Sequence, residues 1–329
     1  MNVHIFYRKK SNDRYSIEKV YNTLLPYFKK NTTSVFEMPF KSQGLFKRLF
    51  NIIFATFNQS TVNHITGDIH YVNFFISRKK TLLTIHDIYP ILRTTGIRRS
   101  VLKLFWFDIP IKKSHTIITV SHFSKKEITR CFNVNPNKTH VIYNCISPCF
   151  SYQKHTFNKT APTILHIGTK PNKNLPRLIE ALKGISCQLI IIGKPTPTLT
   201  EQLNKNAINF TFKTSLNNAE VMAAYKNCDI LSFTSTYEGF GLPIIEAQAM
   251  GRVVVTSNIA SMPEVAGNGA LLVNPYEIES IKNGILQVIT DSTLRENLIQ
   301  KGLENIKRFD PNKIAKQYND LYQQVIDEQ

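Results

Sequence analysis

Short apolar runs, each closed by a polar or glycine-bearing turn and followed by apolar positions at helical spacing, recur along the chain. In the first half, Val3–Tyr7, Thr81–Ile85, Thr116–Val120 and His140–Tyr143 read as strands, and Ile17–Tyr27 as a helix. Ser124, with Glu127 three residues on, is placed to cap a helix after the third of these strands. The second half predicts strands at Thr163–Ile167, Gln188–Ile192, Ile208–Phe212, Asp229–Thr234, Val253–Thr256 and Ala270–Val273. Helices are predicted at Leu175–Leu182, Ala219–Lys226, Leu242–Met250, Ile278–Thr290 and from Thr293 to Phe309, and Pro311 opens a last one that runs to Ile326. Strands alternating with helices give parallel sheets covered on both faces. The expected class is α/β, with two Rossmann-like domains facing across a cleft and ligands beyond the carboxyl ends of the strands.

The length of 329 residues fits two domains of about 150 residues. Pro148, Ser151, Asn158 and Pro162 mark a polar break between the two series, so the expected division is 1–150, a linker over 151–162, a second domain over 163–310 and a final helix over 311–329. The five cysteines, Cys131, Cys145, Cys149, Cys187 and Cys228, show no metal or redox spacing, so no metal site is expected among them, and their odd number fits a reducing compartment. The apolar run at the N-terminus is short and precedes Arg8, Lys9 and Lys10, unlike a signal peptide. No window reaches the roughly 18 apolar residues of a membrane span, which places the protein in the cytoplasm or on a membrane face.

Charge divides the halves. Residues 1–150 carry 23 Lys/Arg against 7 Asp/Glu, and residues 151–329 carry 18 against 16. An excess confined to the first half suits a large anionic partner there: an anionic membrane surface, a phosphorylated acceptor or nucleic acid. Arg98–Phe107 mixes basic and aromatic residues as an interfacial segment does, and a core helix with a basic face reads the same way. A nucleic-acid-binding protein is the alternative that charge alone raises, but no recognition-helix motif supports it.

Candidate chemistry falls at strand ends and helix starts. Glu238-Gly239-Phe240-Gly241 lies between a strand and the helix from Leu242. Its glycines allow close backbone approach, and the free N–H groups of the helix start favour an anion. Glu246, one turn into that helix, is placed to take the two hydroxyls of a ribose; from spacing alone, a glycine-punctuated turn with two solvated glutamates accounts for the stretch equally. Lys173, in the loop Gly168–Asn174, is a natural clamp for a diphosphate, with Lys170 as a second; taken alone, a solvated loop lysine is the better account. His86-Asp87 follows the strand Thr81–Ile85, where a histidine suits sugar binding or proton transfer; taken alone, a structural histidine is the better account.

Together these residues resemble glycosyltransferase family 4, whose members are retaining enzymes of the GT-B fold. The likeness rests on Ser235-Thr-Tyr-Glu-Gly-Phe-Gly-Leu-Pro243, Glu246-Ala-Gln-Ala-Met-Gly251 and Ser261-Met-Pro-Glu264-Val, with Glu238 and Glu246 meeting the family's Glu-x7-Glu signature. It implies catalytic roles for Glu238, Lys173 and His86, and Glu246 on the nucleotide ribose. Lys170, Lys173, Gly239, Phe240, Gly241 and Leu242 would join Glu246 around a UDP- or GDP-sugar, which is a substrate rather than a cofactor. It also implies that the final helix crosses back to the first domain, that Ser16, His86 and Asp87 line the acceptor side, and that no metal takes part. The segment Gly67-Asp-Ile-His70-Tyr71 resembles bacterial members that build surface polysaccharide, which implies a saccharide or lipid-linked acceptor and a peripheral place on the cytoplasmic face of the membrane. Two departures stand out. Asn172 occupies the place near Lys173 where the family usually has arginine. Tyr7–Glu18 replaces the usual glycine-rich loop.

Overall fold

The computed structural model describes residues 2–10, 16–28 and 33–329, with Ser16 described by its backbone alone. The chain forms two compact units: residues 1–145 with 309–329, and residues 146–308. Among the described residues, each unit is built on one six-stranded sheet whose pairings are all parallel.

The first unit holds β1 (Val3–Tyr7), β2 (Thr33–Glu37), β3 (Val62–Ile65), β4 (Thr81–Ile85), β5 (Thr116–Thr119) and β6 (Thr139–Val141), in the spatial order 2-1-3-4-5-6. The order reverses between β1 and β3, which are paired Val3 to Val62. Their carboxyl ends are therefore the topological switch point. β1 and β4 have apolar runs that the sheet buries, as strands covered on both faces require.

The second unit holds β7 (Thr163–Ile167), β8 (Gln188–Ile192), β9 (Asn209–Lys213), β10 (Ile230–Phe233), β11 (Val253–Ser257) and β12 (Leu271–Val273), in the order 12-11-10-7-8-9. That is a Rossmann order, with its switch point between β7 and β10. Ile164, Ile191, Ile230 and Val255 from the sheet and Leu178, Leu182, Ile281 and Ile285 from the helices share one buried apolar core.

Several elements carry no clear sequence signal. β3 reads Val-Asn-His-Ile yet is wholly buried, because its polar members find partners, Asn63 in the backbone of Ser60 and His64 farther off. His64 sits 2.7 Å from both the Tyr322 hydroxyl and Thr84 Oγ1. The helix Leu45–Phe57 turns much of its apolar surface outward. The predicted cap at Ser124 is corrected. Ser121 caps the helix His122–Phe132 by accepting from Ser124 N–H at 3.0 Å, while the Ser124 hydroxyl donates to the His86 carbonyl at 3.1 Å. Ser121 takes the cap because its backbone is extended immediately before the first helical residue, His122.

Residues 147–162 contain no helix or strand and lie within the second unit. Asp229 straps this coil down, its carboxylate accepting from Asn158 N–H at 2.9 Å and Thr163 N–H at 2.8 Å and meeting His155 Nε2 at 2.8 Å. The helix Pro311–Asp327 belongs to the first unit. There Tyr318 and Tyr322 are fully buried against Tyr21, Phe28 and His64.

Candidate active site

In the second unit, the loops leaving β7 and β10 meet at the switch point. Gly168 follows β7 with φ +98°, and a Cβ there would come within 2.8 Å of Lys173 Cγ. The glycine thus lets the lysine stem lie back over the strand end. Lys173 Nζ then donates to Glu238 Oε1 at 2.7 Å and stands 4.7 Å from the centre of the Phe233 ring. The side chains of the pair are 18% and 15% exposed, so the ion pair is held in a site largely shielded from water.

Asn172 ties the two loops together. Its side-chain amide donates to the Tyr237 carbonyl at 3.0 Å and to Glu238 Oε1 at 3.2 Å, and its carbonyl accepts from Thr236 N–H at 2.8 Å. Asn174, in the left-handed region at φ +64°, donates to the Thr234 carbonyl at 3.0 Å and the Pro275 carbonyl at 2.7 Å. The Ser261 hydroxyl lies 2.8 Å from the Glu238 carbonyl and 2.9 Å from that of Phe240, pinning the loop before the helix. Gly241 caps the helix Leu242–Ala249 with φ +104°, turning the chain so that the first-turn N–H groups lead the helix. Asn172 Oδ1, Thr234 Oγ1 and Ser235 Oγ are buried without a partner among the described residues. Buried polar atoms left unpaired are uncommon in a settled interior.

Glu246 is 9% exposed, and its Oε2 accepts from the Tyr225 hydroxyl at 2.7 Å. Tyr225 is itself fixed: it lies edge-on to Phe150, and its carbonyl takes a bond from the buried Arg252 at 3.0 Å. The carboxylate is thereby oriented rather than left solvated. Lys170 is exposed at the start of the Pro171–Lys173 turn, so Lys173, not Lys170, is the cation seated on Glu238. The place that arginine usually holds is occupied by an amide that organises the loops, a role its spacing did not suggest.

In the first unit, functional groups collect at the ends of β1, β3 and β4. The guanidinium of Arg8 makes a two-point ion pair with the buried Glu18, with Nη2 to Oε2 at 3.0 Å, and lies 3.8 Å from Asp68 Oδ2. His70 Nδ1 donates to the Trp106 carbonyl at 2.7 Å. His86 has a buried Nε2 without a partner among the described residues. Burial, with His70 adding to it, pushes its pKa down to about 3, so the ring is neutral near pH 7. Asp87 accepts from Tyr89 N–H at 2.9 Å and so shapes the turn into the next helix. The side chain of Ser16 and residues 11–15 lie outside the described residues. Arg8, Glu18, Asp68 and His70 were not singled out as site residues from spacing; their association depends on which strands neighbour one another.

Residues 150–305 match the family described as Glycosyl transferases group 1, and residues 3–149 match Glycosyltransferase Family 4. The chain is a glycosyltransferase, group 1 in its second half and Family 4 in its first. Between them the two matches cover almost the whole chain and divide within a few residues of the boundary between the units. This glycosyltransferase is 29% identical over 247 residues to the O-antigen chain mannosyltransferase RfbU of Salmonella typhimurium, covering 71% of this chain and 69% of that one. It is 28% identical over 246 residues to the N,N'-diacetylbacillosaminyl-diphospho-undecaprenol alpha-1,3-N-acetylgalactosaminyltransferase of Campylobacter jejuni, covering 67% and 63%. Among solved structures, Anabaena HepE in complex with UDP and glucose superposes with a TM-score of 0.77 at 18% identity, over 98% of this chain and 99% of that one. The glycosyltransferase thus shares the GT-B fold. Among its described residues no helix is long and apolar enough to cross a membrane.

Proposed function

We propose that this glycosyltransferase moves a hexose from a UDP- or GDP-linked donor to a saccharide or lipid-linked acceptor, with retention at the anomeric carbon and without a metal. The work belongs to surface polysaccharide or lipopolysaccharide assembly at the cytoplasmic face of a membrane. The names of the relatives, an O-antigen mannosyltransferase and an enzyme of an undecaprenyl-linked acceptor, support the pathway class, and the UDP bound by HepE supports the donor class. Neither the site nor these relatives favours nucleic-acid binding.

The observation that carries the reading is the Lys173–Glu238 pair at the switch point, beside the helix start at Gly241. With no donor bound, the ammonium is balanced by the carboxylate. An incoming diphosphate takes over the ammonium and the helix N–H groups, and Glu238 is released to receive sugar hydroxyls. Glu246, aimed by Tyr225, holds the ribose. As the bond from the anomeric carbon to the diphosphate oxygen breaks, the acceptor oxygen forms its bond on the same face. The acceptor proton passes to the departing phosphate. Lys173 and the helix start stabilise the leaving charge, and such fixed electrostatics is usually the largest catalytic contribution. The neutral His86 serves as a hydrogen-bond partner for a sugar hydroxyl.

Release of nucleoside diphosphate from a panel of UDP- and GDP-sugars tests this reading. One donor class should be turned over selectively. Lys173→Ala should cut kcat by about 100-fold or more, and Glu246→Ala should raise the donor KM by about tenfold, the loss of one charge-assisted contact. Unchanged activity in both variants would overturn the site assignment.

A further inference from the structure

The helix Leu45–Phe57 presents an apolar face to solvent that the transfer reaction does not explain. Leu45, Phe46, Leu49, Phe50, Ile53 and Phe57 are all exposed, Phe46 to 78% and Phe57 to 85%. At 3.6 residues per turn these positions fall within about 140° of arc. The opposite face is buried through Asn51, Ile52 and Ala55, so the helix is anchored and its outer face is not a fraying end. Monomeric soluble proteins rarely leave so continuous an aromatic and aliphatic strip in water.

The surroundings are basic. Residues 38–107 hold ten Lys/Arg and two Asp/Glu. Lys47 and Arg48 lie on the helix itself, and Arg48 stacks over Trp106 at 4.6 Å. Trp106 belongs to the segment Gly96–Asp108, which exposes Ile97, Val101 and Phe105 beside the exposed Arg98 and Arg99. Tyr71 joins the two elements, accepting from the Asn51 amide at 3.0 Å and packing against the Trp106 ring at 4.8 Å.

We propose that the helix Leu45–Phe57 is the interfacial element of the first unit, inserting Phe46, Phe50 and Phe57 between the headgroups of an anionic bilayer while the neighbouring Lys and Arg residues bind lipid phosphates. With 13 residues the helix is too short to span the bilayer and lies in its surface plane. Charge chooses this occupant over a second copy of the chain. A symmetric self-interface would set Lys47, Arg98 and Arg99 against like charges, whereas anionic headgroups neutralise them. The segment bearing Trp106 also touches the first-unit site: its indole donates to the Asp68 carbonyl at 3.3 Å, and the Trp106 carbonyl receives His70. A bilayer held by this face would bring a lipid-linked acceptor to those residues. That last step rests on the transfer reading; the membrane contact does not.

Co-sedimentation of the full chain with vesicles of phosphatidylglycerol and phosphatidylethanolamine, compared with phosphatidylcholine alone, tests the proposal. The chain should partition onto the anionic vesicles. Phe46→Glu with Phe50→Glu should reduce that partition at least tenfold, with an unchanged circular dichroism spectrum and an unchanged thermal shift by donor nucleotide. Arg98→Glu with Arg99→Glu should weaken binding most at low salt. Failure of the parent chain to bind anionic vesicles, or equal binding by parent and Phe variant, would overturn the proposal. So would a concentration-dependent dimer of the parent that the Phe variant abolishes. Vesicle binding without donor turnover would instead refute the transfer reading and leave this one standing.

Discussion

Lys173 and Glu238 neutralise each other at a strand end where a glycine with positive φ has cleared the way for the lysine stem. Removing either charge does more than delete a contact, because the survivor stays in a poorly solvated site. Gly241 bears on the same loop from the other side. At φ +104° a side chain is strained, and its Cβ would lie 3.1 Å from Ile244 Cδ1 and 3.3 Å from the Phe233 ring. Gly241→Ala should therefore cost about 1–3 kcal/mol of stability and also weaken donor nucleotide binding, because the N–H groups that lead the helix shift with the turn. Chemical denaturation and nucleotide titration would check both; wild-type values for each would mean that the turn neither strains nor positions. At this scale the two glutamates, Lys173 and the glycines were legible, because residue type, spacing and place between strand and helix coincide. Tyr225 was not, because the bond that orients Glu246 spans 21 residues and connects two different helices. The use of Asn172 as a brace was hidden for the same reason: its partners lie 65 and 66 residues away.

Among the elements, the uninterrupted buried strands were the easiest to read. β1, β4, β7 and β8 and the helix Leu175–Leu182 have the bounds that their apolar patterns imply. β2 carries no such signal, because its residues are half-exposed or exposed at the sheet edge, and β3 mixes buried Asn63 and His64 into its run. The helix Leu45–Phe57 reverses the usual rule that apolar means inward, so its pattern does not predict its packing. The final helix shows the opposite case, a clear amphipathic pattern with a decisive place in the core. Tyr318 and Tyr322 close over β3 and β4 through Tyr21, His64 and Thr84. Deleting residues 311–329 should unfold the first unit while the second still binds nucleotide. Limited proteolysis should then leave a resistant fragment near 146–308 whose melting temperature donor nucleotide raises; full protection of the first unit would contradict this.

The molecule as a whole carries buried neutral histidines in both units. Burial above all pushes His64 and His86 down to about 3 in the first unit and His166 down to about 4 in the second. An unfolded histidine titrates near 6.5 and binds protons that the folded one refuses, so protonation favours unfolding. Stability from these groups is complete above about pH 6.5 and is lost as pH falls toward 3–4, by up to about 1.4 kcal/mol per pH unit for each. The first unit also holds His70 and His140 below the usual histidine range, so it should lose more stability than the second as the pH drops from 7 to 5, which scanning calorimetry with and without nucleotide would resolve. Nucleotide at a hundred times its Kd should hold the second unit by about 2.7 kcal/mol, and an acid profile that is flat for both units would remove the basis for neutral histidines.

The first unit draws its last buried tyrosines from the far end of the chain, beyond the whole of the second unit. On the ribosome this reverses the usual order of maturation. At about 5–20 residues per second, β1 waits many seconds before Tyr318 and Tyr322 emerge. During that interval the second unit, whose chain is continuous, can finish while the first remains an open sheet with the apolar helix Leu45–Phe57 already displayed. A nascent chain in that state exposes its greasy face before its sheet is complete.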